Sequence, residues 1–212
     1  MTDDTIEQFL DDIANRRYDY SSVRGIVQNR ETIGTERTTY TAELWERPPD
    51  QARLEKFRSS SGTADSDGRD VAEVVVRNGN TAVTNDIRTN QCHRQRMDPD
   101  ADTAAISRPR ILASVISGTF DVSVEGSTTV AGQDVRTVSI TPTGSNDRPL
   151  KNISELRLWV GLQYRFPLRY HVSHESGSNT IEREFEWLSV EFDGQIDDEQ
   201  FVADSFTEVL KH

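Results

Sequence analysis

The feature that most constrains this chain is a two-residue alternation of apolar and polar side chains in its last third. Leu156, Leu158 and Val160 alternate with Arg157 and Trp159. The same alternation continues over residues 164–172 and 181–187. A period of two places successive side chains on opposite faces of a β-strand. This region therefore predicts antiparallel strands with one apolar face and one arginine-rich face.

Shorter runs with the same period precede this region and are separated by turn residues. Turns are predicted at residues 34–36, at Pro48-Pro49-Asp50 and at Asn78-Gly79-Asn80, and a surface loop over residues 59–70. Strands are predicted at 23–33, 40–45, 52–57, 71–76, 81–85, 91–97, 120–124, 129–130 and 134–141. Because short turns join neighbouring strands in antiparallel pairs, we expect one antiparallel sheet of about ten strands.

Four local irregularities carry further predictions. Pro167 lies inside an alternating run, which predicts an edge strand or a local break. The alternation changes phase after Trp187, which predicts a β-bulge there. Gly126 is interpreted as a turn glycine. Residues 197–201 predict one short helical turn that docks Phe201 into the core.

Two segments have the period of a helix instead. The first contains Ile6, Phe9, Leu10 and Ile13 on one face. The second covers residues 101–118, with the apolar set Ile106, Ile111, Leu112, Val115 and Ile116. The predicted fold is mainly β, of the α+β class: a strongly curved antiparallel sheet forming a half-open barrel, covered on one side by short helices. We expect residues 1–212 to form a single domain.

The charge composition indicates adaptation to high salt. The sequence has 36 acidic and 24 basic residues, for a formal net charge of -12, and only three of the basic residues are lysines. An acidic surface stays hydrated in concentrated salt, where its self-repulsion is screened. An ordinary acidic protein is the alternative. Either way, no basic stripe could neutralise phosphates, so nucleic acid is not an expected partner.

The residues that usually carry catalysis or bind metals form no recognisable motif. Cys92 is the single cysteine, predicted to be a small core residue, and His171 and His174 should point to opposite faces of a strand. Glycine-rich phosphate loops and a GxSxG nucleophile turn do not occur. We expect no catalytic residues, no metal and no cofactor, and interpret the protein as a non-enzyme. Activity on an envelope component is a third hypothesis.

The order of features along the chain resembles the LolA/LolB-like superfamily of lipoprotein carriers, which includes the RseB-type sensor domains. The resemblance runs from about Ile6 to Phe206 and is closest to LolA-like lipoproteins of halophilic archaea. It rests on "YTAELWERPPDQARLE", "VVVRNGNTAVTND", "FDVSVEGSTTVAGQDVRTVSITP", "LRLWVGLQYRFPLRYHV" and "EFEWLSVEFDGQIDDEQF". These segments are soft patterns, so their order is more specific than any one of them.

The resemblance implies a curved sheet wrapped around helices, with an apolar cavity between them. The positions expected to face that cavity are Tyr40, Leu44, Leu54, Ile111, Val115, Leu158, Phe166, Leu168 and Phe185.

The implied function is a carrier for lipid or lipoprotein acyl chains at the cell envelope of a halophile. The alternative is an envelope sensor or protein-interaction domain of the RseB type, with a vestigial cavity and an envelope protein as partner. Peripheral contact with a membrane is compatible with both. We expect an extracytoplasmic location at the cell surface, with a leader removed before residue 1; a cytoplasmic location is the alternative.

Overall fold

The computed structural model describes residues 20–57, 70–96, 120–142, 153–177 and 179–203. These residues are almost entirely β-structure. Within them, no helix has both the length and the apolar character needed to cross a membrane. Both predicted helices, at residues 6–17 and 101–118, lie outside the described residues, as does nearly all of the predicted loop at 59–70.

Twelve strands form one antiparallel sheet in the described part of the chain, two more than expected. The strands are β1 (Val23–Ile33), β2 (Glu36–Arg47), β3 (Gln51–Phe57), β4 (Val71–Asn78), β5 (Thr81–Asp86), β6 (Gln91–Arg96), β7 (Phe120–Val130), β8 (Gln133–Pro142), β9 (Ile153–Gly161), β10 (Pro167–Ser176), β11 (Asn179–Trp187) and β12 (Glu191–Phe192). Their order is β6-β5-β4-β3-β2-β1-β11-β10-β9-β8-β7, and β12 pairs with β1. The prediction of a mainly β, antiparallel protein is confirmed.

The predicted turns are also confirmed. Gly34 and Gly79 each occupy the first position of a tight turn with φ of +59°, a conformation that glycine adopts without steric cost. Asn78 pairs directly with Thr81 across the second of these turns. Residues 48–50 end β2 before β3 begins. The short helical turn is a 3-10 helix, Asp198–Phe201, and Phe201 is buried.

The interpretation of Gly126 as a turn residue is wrong. Residues 120–124 and 129–130 belong to one continuous strand, β7, and the pairing with β8 shifts register between Val124 and Gly126. A bulge of this kind adds one residue to one strand, and glycine accommodates the local distortion.

Pro167 does not mark an edge strand. It is the first residue of β10, which pairs with β9 on one side and β11 on the other. The predicted local break is confirmed, because the β9–β10 register shifts between Pro167 and Arg169. Proline is tolerated at the first position of a strand, where its missing N–H costs least.

An interruption of the strand lies where a bulge is predicted near Trp187. Strand β11 ends at Trp187, and the chain returns to the sheet as β12, opposite residues 23 and 24 of β1. The change of phase in the sequence therefore marks a strand end.

Cys92 is not a core residue. It is half-buried on β6, at one end of the strand order.

The chain divides into two compact units by its contacts. Unit 1 comprises residues 1–19, 29–39 and 107–189, and thus contains strands β7 to β11 and the tip of the β1–β2 hairpin. Its core is one face of the sheet, built from alternate residues of β8 to β11. Buried members are Val138, Ile140, Leu156, Leu158, Val160, Leu168, Phe185 and Trp187.

Unit 2 comprises residues 20–28, 40–106 and 190–212, and contains β3 to β6, β12 and the 3-10 helix. Arg47 attaches the segment around the 3-10 helix to this part of the sheet. Its Nη1 lies 2.6 Å from Asp198 Oδ1, its Nη2 donates to the Ile196 carbonyl, and its guanidinium stacks on the Phe201 ring at 5.0 Å. Arg53 also donates to the Gln200 carbonyl at 3.3 Å.

Candidate functional site

The predicted cavity-lining residues fall into separate groups in the structure. Leu158, Phe166, Leu168 and Phe185 belong to unit 1, whereas Tyr40, Leu44 and Leu54 belong to unit 2. Ile111 and Val115 lie outside the described residues.

The four residues in unit 1 contribute to one apolar layer. Phe185 and Leu158 are both paired with Tyr170 of the intervening strand, so the three side chains lie in one row. The rings of Phe185 and Tyr170 are stacked, with centroids 5.3 Å apart. Phe166 meets the Trp187 ring edge-to-face at 5.8 Å, an arrangement that aromatic quadrupoles favour.

The three residues in unit 2 also share a face of the sheet. Leu44 and Leu54 are directly paired between β2 and β3, and Tyr40 lies on the same side of β2 as Leu44. Lys56 covers the Tyr40 ring at 4.9 Å and pairs with Glu73 at 2.5 Å. Tyr40 is partly exposed and lies beside the Lys56–Glu73 ion pair.

Close packing is common to both groups. Six of the seven described residues are at most 4% exposed, Tyr40 being the exception. Side chains this deeply buried have almost no surface that a water molecule could touch. Their assignment as the lining of a cavity therefore stays a prediction.

One buried polar atom lies in the apolar layer of unit 1. The indole N–H of Trp187 is inaccessible to water and has no hydrogen-bond acceptor among the residues that the structure describes. Buried tryptophan N–H groups usually find an acceptor, and leaving one unpaired costs about 1–3 kcal/mol.

The opposite face of the sheet in unit 1 is polar and carries an open groove of about 220 Å³. We call this the polar groove. Four strands contribute to it, and its lining residues are Arg30, Thr32, Arg37, His171, Glu182 and Glu184. Strand alternation explains the positions of His171 and Glu184, because they are paired and both are out of phase with the half-buried Tyr170 and the buried Phe185.

Glu184 is the electrostatic centre of the polar groove. Its carboxylate accepts from Arg30 Nη1 at 3.1 Å and from Arg169 Nη2, so it bridges two arginines. Burial alone would raise the pKa of Glu184, but the positive charges and hydrogen bonds of Arg169 and Arg30 lower it below its usual value. Glu184 therefore stays ionised at any pH near neutral.

An aromatic residue extends this polar face beyond the groove. The Arg169 guanidinium stacks on the Trp159 ring at 4.5 Å. Trp159 is flanked on its own strand by Arg157, which pairs with Glu155 at 3.0 Å and with Glu125 at 3.3 Å. Tryptophan and arginine together are the residues most enriched at the centres of protein interfaces.

Sequence reasoning anticipated the arginine-rich face but missed the polar groove. The alternation in β10 placed Arg169 and His171 on the polar side. The groove also needs Arg30 beside Glu184, residues that are 154 positions apart in the chain. No local pattern in the sequence predicts that β1 pairs with β11.

Acidic, histidine and cysteine side chains do not form a metal cluster in the described part of the chain: no three or more of them come close enough to hold an ion.

Comparisons with known proteins support the fold. No protein-family model and no curated protein match the sequence. Among solved structures, MucB in the MucA/MucB complex of Pseudomonas aeruginosa matches with a TM-score of 0.59 and 18% identity, covering 97% of this chain and 63% of that chain. A second crystal structure of MucB matches with a TM-score of 0.58 and 16% identity, covering 95% and 64%.

A third match is an uncharacterized conserved protein from Thermus thermophilus, with a TM-score of 0.55 and 11% identity, covering 96% of this chain and 97% of that chain. The chain spans less than two thirds of the length of MucB. At these identities the likeness concerns the fold alone, which this chain shares with MucB. Membership of the LolA/LolB-like superfamily stays a prediction.

Proposed function

We propose that this chain is a non-enzymatic binding domain of the RseB type that lies outside the cytoplasm and binds a protein partner through the polar face of unit 1. The observation that carries the proposal is the contrast between the two faces of the sheet there. The apolar face is closely packed, whereas the opposite face has an open groove. The fold shared with MucB, which forms a complex with MucA, adds support.

The composition of the polar face also favours a protein partner. It combines Trp159 with several arginines, and most of the charges are already paired within the sheet. A partner can cover paired charges at a lower desolvation cost than isolated ones, because each charge already has an opposite charge beside it.

Site-specific photocrosslinking tests this function. A benzoylphenylalanine at Ser139 would lie on the polar face, opposite Arg157, and one at Asn80 would lie on an exposed turn in unit 2. In an extract of the cell's own envelope, we expect a discrete protein adduct from position 139 and none from position 80. The same adducts from both positions, or none from either, would contradict the proposal.

An acyl-chain carrier of the LolA type, in a single domain with a curved half-barrel, is the second candidate. The unpaired indole N–H of Trp187 specifically favours it, because the carbonyl oxygen of an acyl guest would supply the missing acceptor. In this case the apolar layer around Phe166 would open around the guest. Both candidate functions include the proposal that the protein comes from a salt-adapted archaeon.

Titration of the delipidated protein with a fluorescent fatty acid distinguishes the two candidates. Saturable binding with one guest per chain, weakened by Trp187→Phe, is expected of a carrier. The phenylalanine removes the donor but keeps an aromatic ring. No saturable binding by the unmodified protein would exclude the carrier function.

A further inference from the structure

The lining of the polar groove has no net formal charge, unlike the chain as a whole. Arg30 and Arg37 balance Glu182 and Glu184 in its lining, and Arg169 adjoins them through Glu184. The whole sequence of 212 residues has a formal net charge of -12. The groove is therefore a local site at which an anion meets less repulsion than elsewhere on this acidic surface.

Arg37 is the donor in this groove that is left available for a ligand. Arg30 and Arg169 are held by Glu184, whereas Arg37 forms no ion pair within the described part of the chain. Because a two-residue turn joins Ile33 to Glu36, antiparallel pairing places Thr32 opposite Arg37. A guanidinium and a hydroxyl are thus side by side at the groove.

The chemistry of the groove favours a carboxylate over a phosphate. The planar fork of an arginine matches the two oxygens of a carboxylate, and a monoanion is repelled less by Glu182 than a dianion is. Glu182 can also accept a backbone N–H, which a polypeptide provides and an inorganic anion does not. Both properties point to the side chain of an acidic residue in a polypeptide.

We propose that the polar groove binds the carboxylate of an aspartate or glutamate side chain of the partner, with Arg37 as its main donor and Thr32 and His171 as further polar contacts. This assignment rests on the proposed function for the existence of a protein partner. It adds the chemistry by which that partner is recognised.

The test uses the full chain and small probes. Titration by NMR at the lowest salt that keeps the protein folded would compare blocked glutamate, blocked glutamine and inorganic phosphate. We expect blocked glutamate to perturb the amides of residues 30–37 and 182–184 and to bind more tightly than the other two. Arg37→Gln should weaken its binding about tenfold, as expected for loss of a charge-assisted hydrogen bond.

Arg183→Gln is the matched control, since it removes an equal charge at a residue of β11 that pairs with Glu31 instead of lining the groove. Equal weakening by both variants would overturn the assignment, since the effect would then come from overall charge. Tighter binding of phosphate, or no shifts in the groove, would also overturn it. If the crosslink from Ser139 persists in such a case, the assignment fails while the proposed function stands.

Discussion

Glu184 illustrates how one residue can organise a polar surface. Its carboxylate joins Arg30 of β1 to Arg169 of β10 from the strand between them. The side chain is 20% exposed, so solvent screens these interactions only in part. Because Glu184 binds Arg30 and Arg169, Arg37 is the arginine of the groove that remains available to a ligand.

Replacing Glu184 by glutamine should lower the free energy of unfolding at pH 7 by about 1–2 kcal/mol, because Arg30 and Arg169 would lose their shared counter-charge. The folded pKa of Glu184 is lowered, so its contribution to stability is present above the unfolded value and is lost as the pH falls through the folded value. Urea denaturation at pH 7 and at about pH 3 should therefore show a difference between wild type and variant that shrinks in acid.

Glu186→Gln provides the comparison for this prediction, because it removes a carboxylate from the same face of β11. A loss of stability as large as that of Glu184→Gln would mean that general charge, and not the two-arginine bridge, is responsible. A difference independent of pH would contradict the lowered pKa.

At the scale of elements, several side chains hold a short helical segment to the sheet, and Arg47 makes more of these contacts than any other. Arg47 makes an ion pair, a hydrogen bond to a carbonyl and a cation–π contact with residues 196–201. Asn78 adds a longer contact to the Phe201 carbonyl at 3.4 Å. The helix has only four residues, too few to be stable alone, so these contacts must keep it in place.

Arg47→Ala should destabilise this segment by about 2 kcal/mol, from the loss of the charged hydrogen bonds and the stacking on Phe201. Hydrogen exchange of the Gln200 and Val202 amides, which close the helical turn, should then become roughly 30-fold faster. Arg88→Ala removes an exposed arginine from a turn of the same unit and should leave those rates unchanged. Unchanged rates in Arg47→Ala would show that Phe201 burial alone fixes the segment.

Hairpin turns set the register of neighbouring strands. Gly79 lies in such a turn, and a substitution there tests how much the turn conformation contributes to stability. Its φ of +59° favours glycine, so Gly79→Ala should cost about 1 kcal/mol of unfolding free energy. Gly161→Ala is the control, because the added Cβ would only make ordinary contacts at 3.6 Å with Leu168 Cδ1 and the Phe166 carbonyl. Equal stability of the two variants in urea denaturation would refute the argument.

At the scale of the whole molecule, the acidic excess is the dominant physical property. A formal net charge of -12 opposes the compact state through self-repulsion, and salt screens that repulsion. The Debye length falls from about 10 Å at 0.1 M to about 3 Å at 1 M salt. The stability of this chain should therefore depend strongly on ionic strength.

Thermal unfolding should show a midpoint that rises steadily between about 0.1 M and about 2 M potassium chloride. A neutral osmolyte at matched osmolality is the control, since it stabilises without screening charge. If the midpoint is the same at both salt concentrations, or if the osmolyte reproduces the whole rise, the interpretation as salt adaptation is wrong.

The sequence by itself determined where the strands and turns lie. Apolar alternation located β1 to β6 and β8 to β11 to within a few residues, and glycine located the turns at 34 and 79. It also separated the apolar row of Leu158 from the polar row of Trp159. These features depend on neighbouring residues only, so the chain's local pattern is sufficient.

Only the tertiary structure decided which strands become neighbours and therefore what the polar face contains. The placement of β11 beside β1 brings Glu184 to Arg30 and forms the polar groove. It also made β10 an inner strand despite Pro167. Strand pairing depends on contacts between residues far apart in the chain, and a two-residue period is the same whichever partner a strand finds.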